Sequence, residues 1–151
     1  MNISGEITVA APRAAVFDKL KDAPFFASCV DGVKNLQAID ETHYDAVLET
    51  KVAYMTFSFK VSVEITNLTA PDTIEARVEG TPIGIVGRMT ATSRTHLTES
   101  GDQTIIAYSI DSTLAGKLGS IGQPVLRAKA KEMERKFTER LRAAFAAEGP
   151  R

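Results

Sequence analysis

Residues 55–66, MTFSFKVSVEIT, alternate apolar and polar side chains without a break. A period of two puts every second side chain on the same face, which is typical of a β-strand with one dry and one wet face. Similar alternation recurs along the chain, at 3–9, 44–52, 74–78, about 85–98 and 106–114, with an expected break at 80–84. The pattern predicts a run of antiparallel strands joined by short turns.

Helical spacing appears at two places outside this run. Pro12 precedes apolar residues that predict a helix over about 13–21, and Pro24 opens a second short apolar stretch, 25–30. Near the C-terminus, apolar residues recur every three or four positions: Leu126, Ala130, Met133, Phe137, Leu141 and Phe145. This stripe predicts one amphipathic helix over about 123–147, with Arg127, Lys131, Glu134, Arg135, Glu139 and Arg140 off the stripe.

Strands followed by one long helix predict an α+β domain. The sheet must cover its apolar face, and the C-terminal helix carries the only long apolar stripe. We therefore expect a single domain over 1–151, in which a curved antiparallel sheet of about seven strands wraps around that helix. Two short helices are expected after the first strand.

Composition narrows the class of protein. The chain is 44% hydrophobic and 25% charged, with a net charge of −1, so we expect no general attraction to nucleic acid or to anionic membranes. Its one cysteine, Cys29, and the lack of a signal-peptide pattern at the N-terminus predict a reducing, cytoplasmic setting. Residues 123–151 carry eight basic and four acidic residues, a net +4 that makes this segment a candidate docking surface.

The predicted inner face of the sheet mixes large and small side chains. Gly87, Ala91, Ser93 and Ser112 lie among Phe57, Phe59, Met89, Tyr108 and Ile110. Small residues opposite a helix mean either a close helix approach in a solid core or a cavity that a ligand fills. Alternation alone leaves both readings open.

Four stretches of the chain resemble the CoxG family, which is associated with carbon monoxide dehydrogenase. This family belongs to the START/birch-pollen-allergen (SRPBCC) superfamily, whose fold is the helix-grip. The stretches are Gly5-Glu6 with 9–12 and Val16-Phe17; 20–32; the region of Gly80, Gly84 and Gly87; and 116–122, GKLGSIG. The chain departs from the usual family pattern at Ala23 and Asp31, where proline is common. Many members continue into a hydrophobic anchor, whereas this sequence ends at Arg151, so we expect transient membrane contact.

The resemblance implies an internal cavity and service to a carbon monoxide dehydrogenase-type molybdenum hydroxylase at the inner face of the cell membrane. A lipophilic molecule, with a respiratory quinone as first candidate, is the expected ligand, and no tightly bound cofactor is expected. The predicted pocket residues are Phe17, Phe25, Phe26, Val30, Met55, Phe57, Phe59, Met89, Ala91, Tyr108, Ile110, Ile121, Val125, Leu126 and Met133.

Other candidate sites each have a plainer explanation. Phe25 and Phe26 either plug the core or line the pocket mouth and touch the bilayer. The basic residues predicted to dock a partner or membrane either do so or form an ordinary solvated helix face: Arg135, Lys136, Arg140 and Arg142. We expect surface histidines at 43 and 96, a buried structural Cys29, no metal site, and a hinge at Gly116, Gly119 and Gly122.

Catalysis has little support in the sequence, so we expect no enzyme. Some superfamily relatives are polyketide cyclases or hydrolases that use polar groups inside the cavity. The predicted inner faces offer mainly Tyr108, Ser93, Ser112 and Thr50, with no inward carboxylate pair or histidine for acid–base chemistry. The alternatives are therefore a cyclase-like enzyme, which needs an ionisable group inside, or a ligand-free adaptor that recruits the dehydrogenase to the membrane.

Overall fold

The computed structural model describes residues 1–147, and within them lie seven strands and three α-helices. The strands are β1 (Asn2–Val9), β2 (Val33–Ala38), β3 (His43–Val52), β4 (Met55–Thr69), β5 (Thr73–Pro82), β6 (Gly87–Ser100) and β7 (Gln103–Gly116). The helices are α1 (Arg13–Lys21), α2 (Ala23–Cys29) and α3 (Gln123–Ala147), and a short 3-10 helix (Lys117–Ser120) precedes α3. The predicted α+β class, strand number and order of helices are confirmed.

The strands form one antiparallel sheet in the order β1-β7-β6-β5-β4-β3-β2. Because β1 and β2 lie at opposite edges, α1 and α2 carry the chain from one edge to the other. The 25 residues of α3 make a helix of about 37 Å. This helix contacts β1 near one edge and β3 near the other, so the sheet curves around it.

Local sequence explains why two short helices form after β1 instead of one long helix. Pro12 has extended backbone angles and caps α1, and Asp22 has extended angles that end it. The Asp22 carboxylate then accepts a hydrogen bond from the backbone N–H of Phe25 at 3.2 Å, which caps α2. Pro24 in the first turn of α2 needs no hydrogen-bond partner for its nitrogen.

Three details of the strands differ from the predicted pattern. The expected break at 80–84 begins later, because Gly80 is a buried, inward-facing residue of β5. The strand expected over about 85–98 runs from Gly87 to Ser100, and residues 83–86 form the preceding loop. β2 shows no clean alternation because its register with β3 shifts between Lys34 and Gln37, and Asn35 takes a positive φ of 54°.

Candidate functional site

Buried apolar side chains form two clusters within the described chain, one toward each end of the curved sheet. The cluster beneath α1 and α2, here called the helix end, contains Ile7, Val9, Ala11, Val16, Phe17, Leu20, Leu97, Ile106 and Leu141. The second cluster, at the loop end, contains Val52, Phe57, Phe59 and Leu118. The loop end is where β3 turns into β4, β5 turns into β6, and β7 leads into the 3-10 helix.

Between these clusters the concave face of the sheet is not closed. Its inward side chains are only partly buried: Val61, Val63, Ala76, Val78, Ala91, Ser93, Ile110 and Ser112. Leu126, Ala130 and Met133 of α3 are also only partly buried. A close-packed core would bury such residues. These side chains leave the concave face partly accessible, and we call the space that they border the hollow. Its wall is apolar apart from the hydroxyl groups of Ser93 and Ser112.

A side cleft of about 710 Å³ opens between the second half of β3 and the first half of α3. Thr50, Ala53, Val125 and Ala128 line it together with a charged rim of Asp31, Glu49, Lys51, Lys129, Glu132 and Lys136. Thr50 belongs to the inward face of β3, so the cleft reaches the concave side of the sheet. A volume of this size is in the range of small-molecule sites. A smaller cavity of about 200 Å³ lies at the helix end against Leu20, Tyr44 and Ile74.

One polar pair lies between the sheet and α3. The Tyr108 hydroxyl, on the inward face of β7, donates a hydrogen bond to the Glu134 carboxylate of α3, and both residues are partly buried. Gly5 of β1 stands opposite Tyr108 in the strand register. A Cβ atom on Gly5 would lie 2.7 Å from Glu134 Oε2 and 2.8 Å from the Tyr108 hydroxyl oxygen. The missing side chain at Gly5 thus makes the space in which the pair meets.

Glu134 is an inward-facing carboxylate, although the sequence pattern places it among the residues off the apolar stripe. Its position off the apolar stripe does not suggest an inward side chain, although its spacing from two residues of the stripe does. Glu134 follows Ala130 by four residues and precedes Phe137 by three, so it shares their side of the helix. Burial, and then the bond to Glu134, raise the pKa of Tyr108 above its ordinary value. The hydroxyl therefore stays protonated at neutral pH and keeps its hydrogen directed at Glu134.

A match to a family sequence model that covers nearly the whole chain decides the family. The sequence model of the CoxG family, named for a component of carbon monoxide dehydrogenase, matches residues 5–146. The chain belongs to the CoxG family. Its match spans both clusters, the hollow and the Tyr108–Glu134 pair. No curated protein sequence matches the chain.

Solved structures place this CoxG chain among helix-grip proteins. A conserved protein from Geobacillus kaustophilus is 26% identical, with a TM-score of 0.89 over 97% of this chain and 96% of that one. A START superfamily protein from Mycobacterium smegmatis is 12% identical, with a TM-score of 0.72 over 95% of each chain. Ara h 8.0201 is 12% identical, with a TM-score of 0.70 over 97% of this chain and 98% of that one. Family and fold together support a ligand-binding accessory role.

The predicted pocket residues, apart from Val30, fall into four groups in this CoxG chain. Phe17 lies in the helix-end cluster, where Phe25 and Tyr108 pack against it, whereas Phe57, Phe59, Met89 and Ile121 belong to the loop-end cluster. Ala91, Ile110, Leu126 and Met133 line the hollow, and Val30, partly buried, follows α2. Phe26, Met55 and Val125 are substantially exposed, and only Val125 of the predicted set lines the side cleft. Their role in ligand binding stays a prediction.

The predicted docking residues have partners within the chain. Lys136 Nζ lies 2.9 Å from Asp31 Oδ2, and Arg140 Nη2 lies 3.1 Å from Asp31 Oδ1. These two partners, Lys136 first, lower the pKa of the Asp31 carboxyl. Arg135 pairs with Glu139 at 3.1 Å, and Arg142 donates to the backbone carbonyl of Thr8. These bonds tie α3 to the turn after α2 and to β1, and docking to another surface stays a prediction.

Cys29 and the two histidines have the burial and exposure that the sequence predicts. Cys29 is buried, and burial is the main cause that raises the pKa of its thiol. His43 and His96 are exposed, and Asp40 beside His43 raises the pKa of that imidazole. Among residues 1–147, no group of three or more potential ligand side chains could hold a metal ion. None of the helices in that part of the chain is long and apolar enough to span a bilayer.

Proposed function

We propose that this chain is a non-catalytic accessory protein that holds a lipophilic small molecule in the hollow. In this proposal it serves a carbon monoxide dehydrogenase-type molybdenum hydroxylase at the cytoplasmic membrane. A respiratory quinone is the first candidate ligand, because such an enzyme must pass electrons to a respiratory chain. The observation that carries the proposal is the band of half-buried, inward apolar side chains between two closed clusters.

The energetics of this band favour a ligand over an empty hollow. Apolar surface in contact with water costs about 25 cal/mol for each Å² that could be buried. A lipophilic molecule seated between the sheet and α3 would cover surface on both sides at once. The hydroxyls of Ser93 and Ser112 and the Tyr108–Glu134 pair supply the few polar contacts that orient a ligand in an apolar site.

Native mass spectrometry of the purified protein, followed by extraction with organic solvent, tests the ligand. The expected result is a quinone or another lipid near one molecule per chain. A protein that is purified empty and takes up no added quinone would refute the carrier. That result would favour the ligand-free adaptor, and capture of the dehydrogenase by the immobilised protein would then be the next measurement.

Exposed apolar side chains at the loop end supply a surface for membrane contact. Tyr54 in the β3–β4 turn is 87% exposed, and Val86 in the β5–β6 loop is 80% exposed. Ile83 of the same loop and Met55 beside Tyr54 are each about half exposed. Isolated exposed apolar residues are ordinary, but here four lie on adjacent turns at one end of the sheet. Phe26 at the helix end is less exposed and contacts the ring of Phe137.

Charge at this end suits the anionic surface of a bilayer. The turns and the 3-10 helix that form it, 53–54, 83–86 and 117–120, contain no aspartate or glutamate. Lys51 and Lys117 are exposed there, and neither forms an ion pair within the described residues. Lysines near a membrane surface are attracted to anionic lipid, and exposed apolar tips insert between headgroups. In the proposal, the loop end therefore meets the bilayer while ligand is exchanged.

Vesicle flotation tests this orientation with a matched pair of variants. The protein is expected to float with phosphatidylglycerol vesicles more than with phosphatidylcholine vesicles. The double variant Tyr54→Ser/Val86→Ser is expected to lose most of that binding. The double variant Ile39→Ser/Leu68→Ser, which also removes two exposed apolar side chains, is expected to keep it because neither lies at the loop end. Equal losses in both variants would contradict the orientation.

Glu134 supports a second candidate function, a cyclase-like enzyme. An ionisable group inside the hollow is what such an enzyme requires, and Glu134 approaches the hollow beside Tyr108. The carrier is preferred because Tyr108, with its raised pKa, supplies no ready proton, and the described residues place no second acid or base beside the pair. Incubation with a bound lipophilic ligand distinguishes the two: a carrier returns it unchanged, whereas an enzyme returns a product.

A further inference from the structure

The Tyr108–Glu134 pair presents an unusual set of hydrogen-bonding groups to the interior. The Tyr108 hydroxyl directs its hydrogen at Glu134 Oε2. Within the described residues no protein group bonds the other carboxylate oxygen of Glu134, and Thr138 bonds only its backbone carbonyl. A carboxylate accepts hydrogen bonds and donates none. What remains for a ligand is therefore a set of acceptors: Glu134 Oε1 and the lone pairs of the Tyr108 oxygen.

Several features keep the pair in this acceptor state. Gly5 leaves the space that the two side chains occupy, and a Cβ there would collide with both. The raised pKa of Tyr108 keeps the proton on its oxygen, so that the hydroxyl remains the donor and the carboxylate the acceptor. Tyr108 packs against the helix-end cluster, and the next inward residues along β7 and β6, Ile110 and Ser93, border the hollow, so the pair lies beside it.

Resting on the proposed function, we infer that the Tyr108–Glu134 pair is an acceptor site that selects ligands carrying a hydroxyl donor. For a ligand of the quinone class, this site favours the reduced hydroquinone over the oxidised quinone. A hydroquinone carries two O–H groups, and one can donate to Glu134 in a charge-assisted hydrogen bond. A quinone has only carbonyl acceptors. A quinone oxygen placed against this pair gives up its hydrogen bonds to water and receives no hydrogen bond in return.

Equilibrium dialysis under argon with three matched probes tests the inference. The probes are an alkyl hydroquinone, the corresponding alkyl benzoquinone, and the dimethyl ether of the hydroquinone, which has neither O–H donors nor quinone carbonyls. The wild-type protein is expected to bind the hydroquinone at least about tenfold more tightly than the other two, the range of one hydrogen bond to a charged group. Equal binding of all three would overturn the inference and leave the carrier proposal standing, whereas no binding of any probe would overturn both.

The variant Glu134→Gln identifies the group responsible. Its amide oxygen can still accept from Tyr108, while its N–H₂ group donates to a quinone carbonyl. We expect the preference for the hydroquinone to shrink by about tenfold or to reverse. Glu139→Gln is the control, because Glu139 lies on the same helix but is exposed and paired with Arg135, and it should keep the wild-type preference. A Glu134→Gln protein with an unchanged preference would refute the assignment.

Tyr108→Phe gives an independent answer if Glu134→Gln does not fold. Phenylalanine removes the hydroxyl that occupies Glu134 Oε2 and leaves the carboxylate with both oxygens free. The preference for the hydroquinone over its dimethyl ether is therefore expected to persist or increase. Loss of the preference in this variant would show that the tyrosine hydroxyl, and not the carboxylate, selects the ligand.

Discussion

The helix end and the loop end of this molecule differ in how many buried apolar side chains they contain and in what covers them. Nine buried residues fill the helix end, which α1, α2 and the second half of α3 cover. Four fill the loop end within the described chain, where Tyr54 and Val86 project into solvent. Regions with fewer buried contacts open at lower free energy, and binding sites are drawn from them. The comparison indicates that the helix end stabilises the fold and that the loop end and hollow are left for exchange.

The largest expected effect on stability comes from truncating a buried side chain at the helix end. Leu141 of α3 is 0% exposed and lies within the cluster that holds α3 on the sheet. Leu141→Ala is expected to lower the free energy of unfolding by about 2–5 kcal/mol, because it removes buried methyl groups and leaves a cavity. Chemical denaturation measures the change. Val86→Ala at the loop end truncates a side chain that is 80% exposed and is the control, expected within about 0.5 kcal/mol of wild type. Equal costs would mean that Leu141 does not hold α3 on the sheet.

Alternation made the frame of this fold predictable. The strict period of two in β4 indicates a strand with one solvent-exposed face. The apolar stripe from Leu126 to Phe145 indicates the helix that packs against the sheet. The misjudged elements are those in which a local feature disturbs the period. The register shift after Lys34 disguises β2, and Gly80 suggests a break although it continues β5. Glycine in a strand also serves close approach, here of the Met89 side chain, and sequence alone does not separate the two uses.

The hollow was less predictable than the frame, because it depends on the distance between α3 and the sheet. Small inward residues such as Ala91 and Ser93 are compatible with a close helix or with a space, and only the partial exposure of both walls distinguishes them. Asp31 was missed as a partner of α3 for a related reason. Its contact with Lys136 joins residues 105 positions apart, a separation at which no local spacing rule applies.

A larger side chain placed in the hollow tests whether the hollow differs from the closely packed clusters. Ala91→Leu adds a large side chain to the inward face of β6, where a solid core would be overpacked at a cost of about 1–3 kcal/mol. In the hollow we expect no loss, or a gain of up to about 1 kcal/mol as exposed apolar surface is covered. The same variant should bind less ligand. Thermal unfolding without ligand gives the sign of the change, and a clear destabilisation would mean that the space is already filled.

The smallest expected effect concerns the ion pairs that hold the turn after α2 against α3. Asp31 contacts Lys136 and Arg140 on the rim of the side cleft, and all three side chains are partly exposed. Exposed pairs contribute about 0–1 kcal/mol, so Asp31→Asn should change the free energy of unfolding by less than about 1 kcal/mol. The lowered pKa of Asp31 fixes the pH dependence of this difference. It should be full above the ordinary aspartate pKa of about 3.9 and should vanish as pH falls through the lower pKa of the folded protein.

Asp31→Asn is expected to affect the release of a bound ligand more than the stability of the fold. Releasing the turn from α3 at the rim of the side cleft should speed amide hydrogen exchange at 30–33 and shorten the residence time of a bound ligand. Asp18→Asn is the matched control, because Asp18 forms an exposed pair with Lys21 on α1, away from the cleft. If both variants release ligand at the wild-type rate, exchange does not pass the Asp31 side. The comparison of the two ends would then leave the loop end as the remaining candidate route, which the Tyr54→Ser/Val86→Ser variant tests directly.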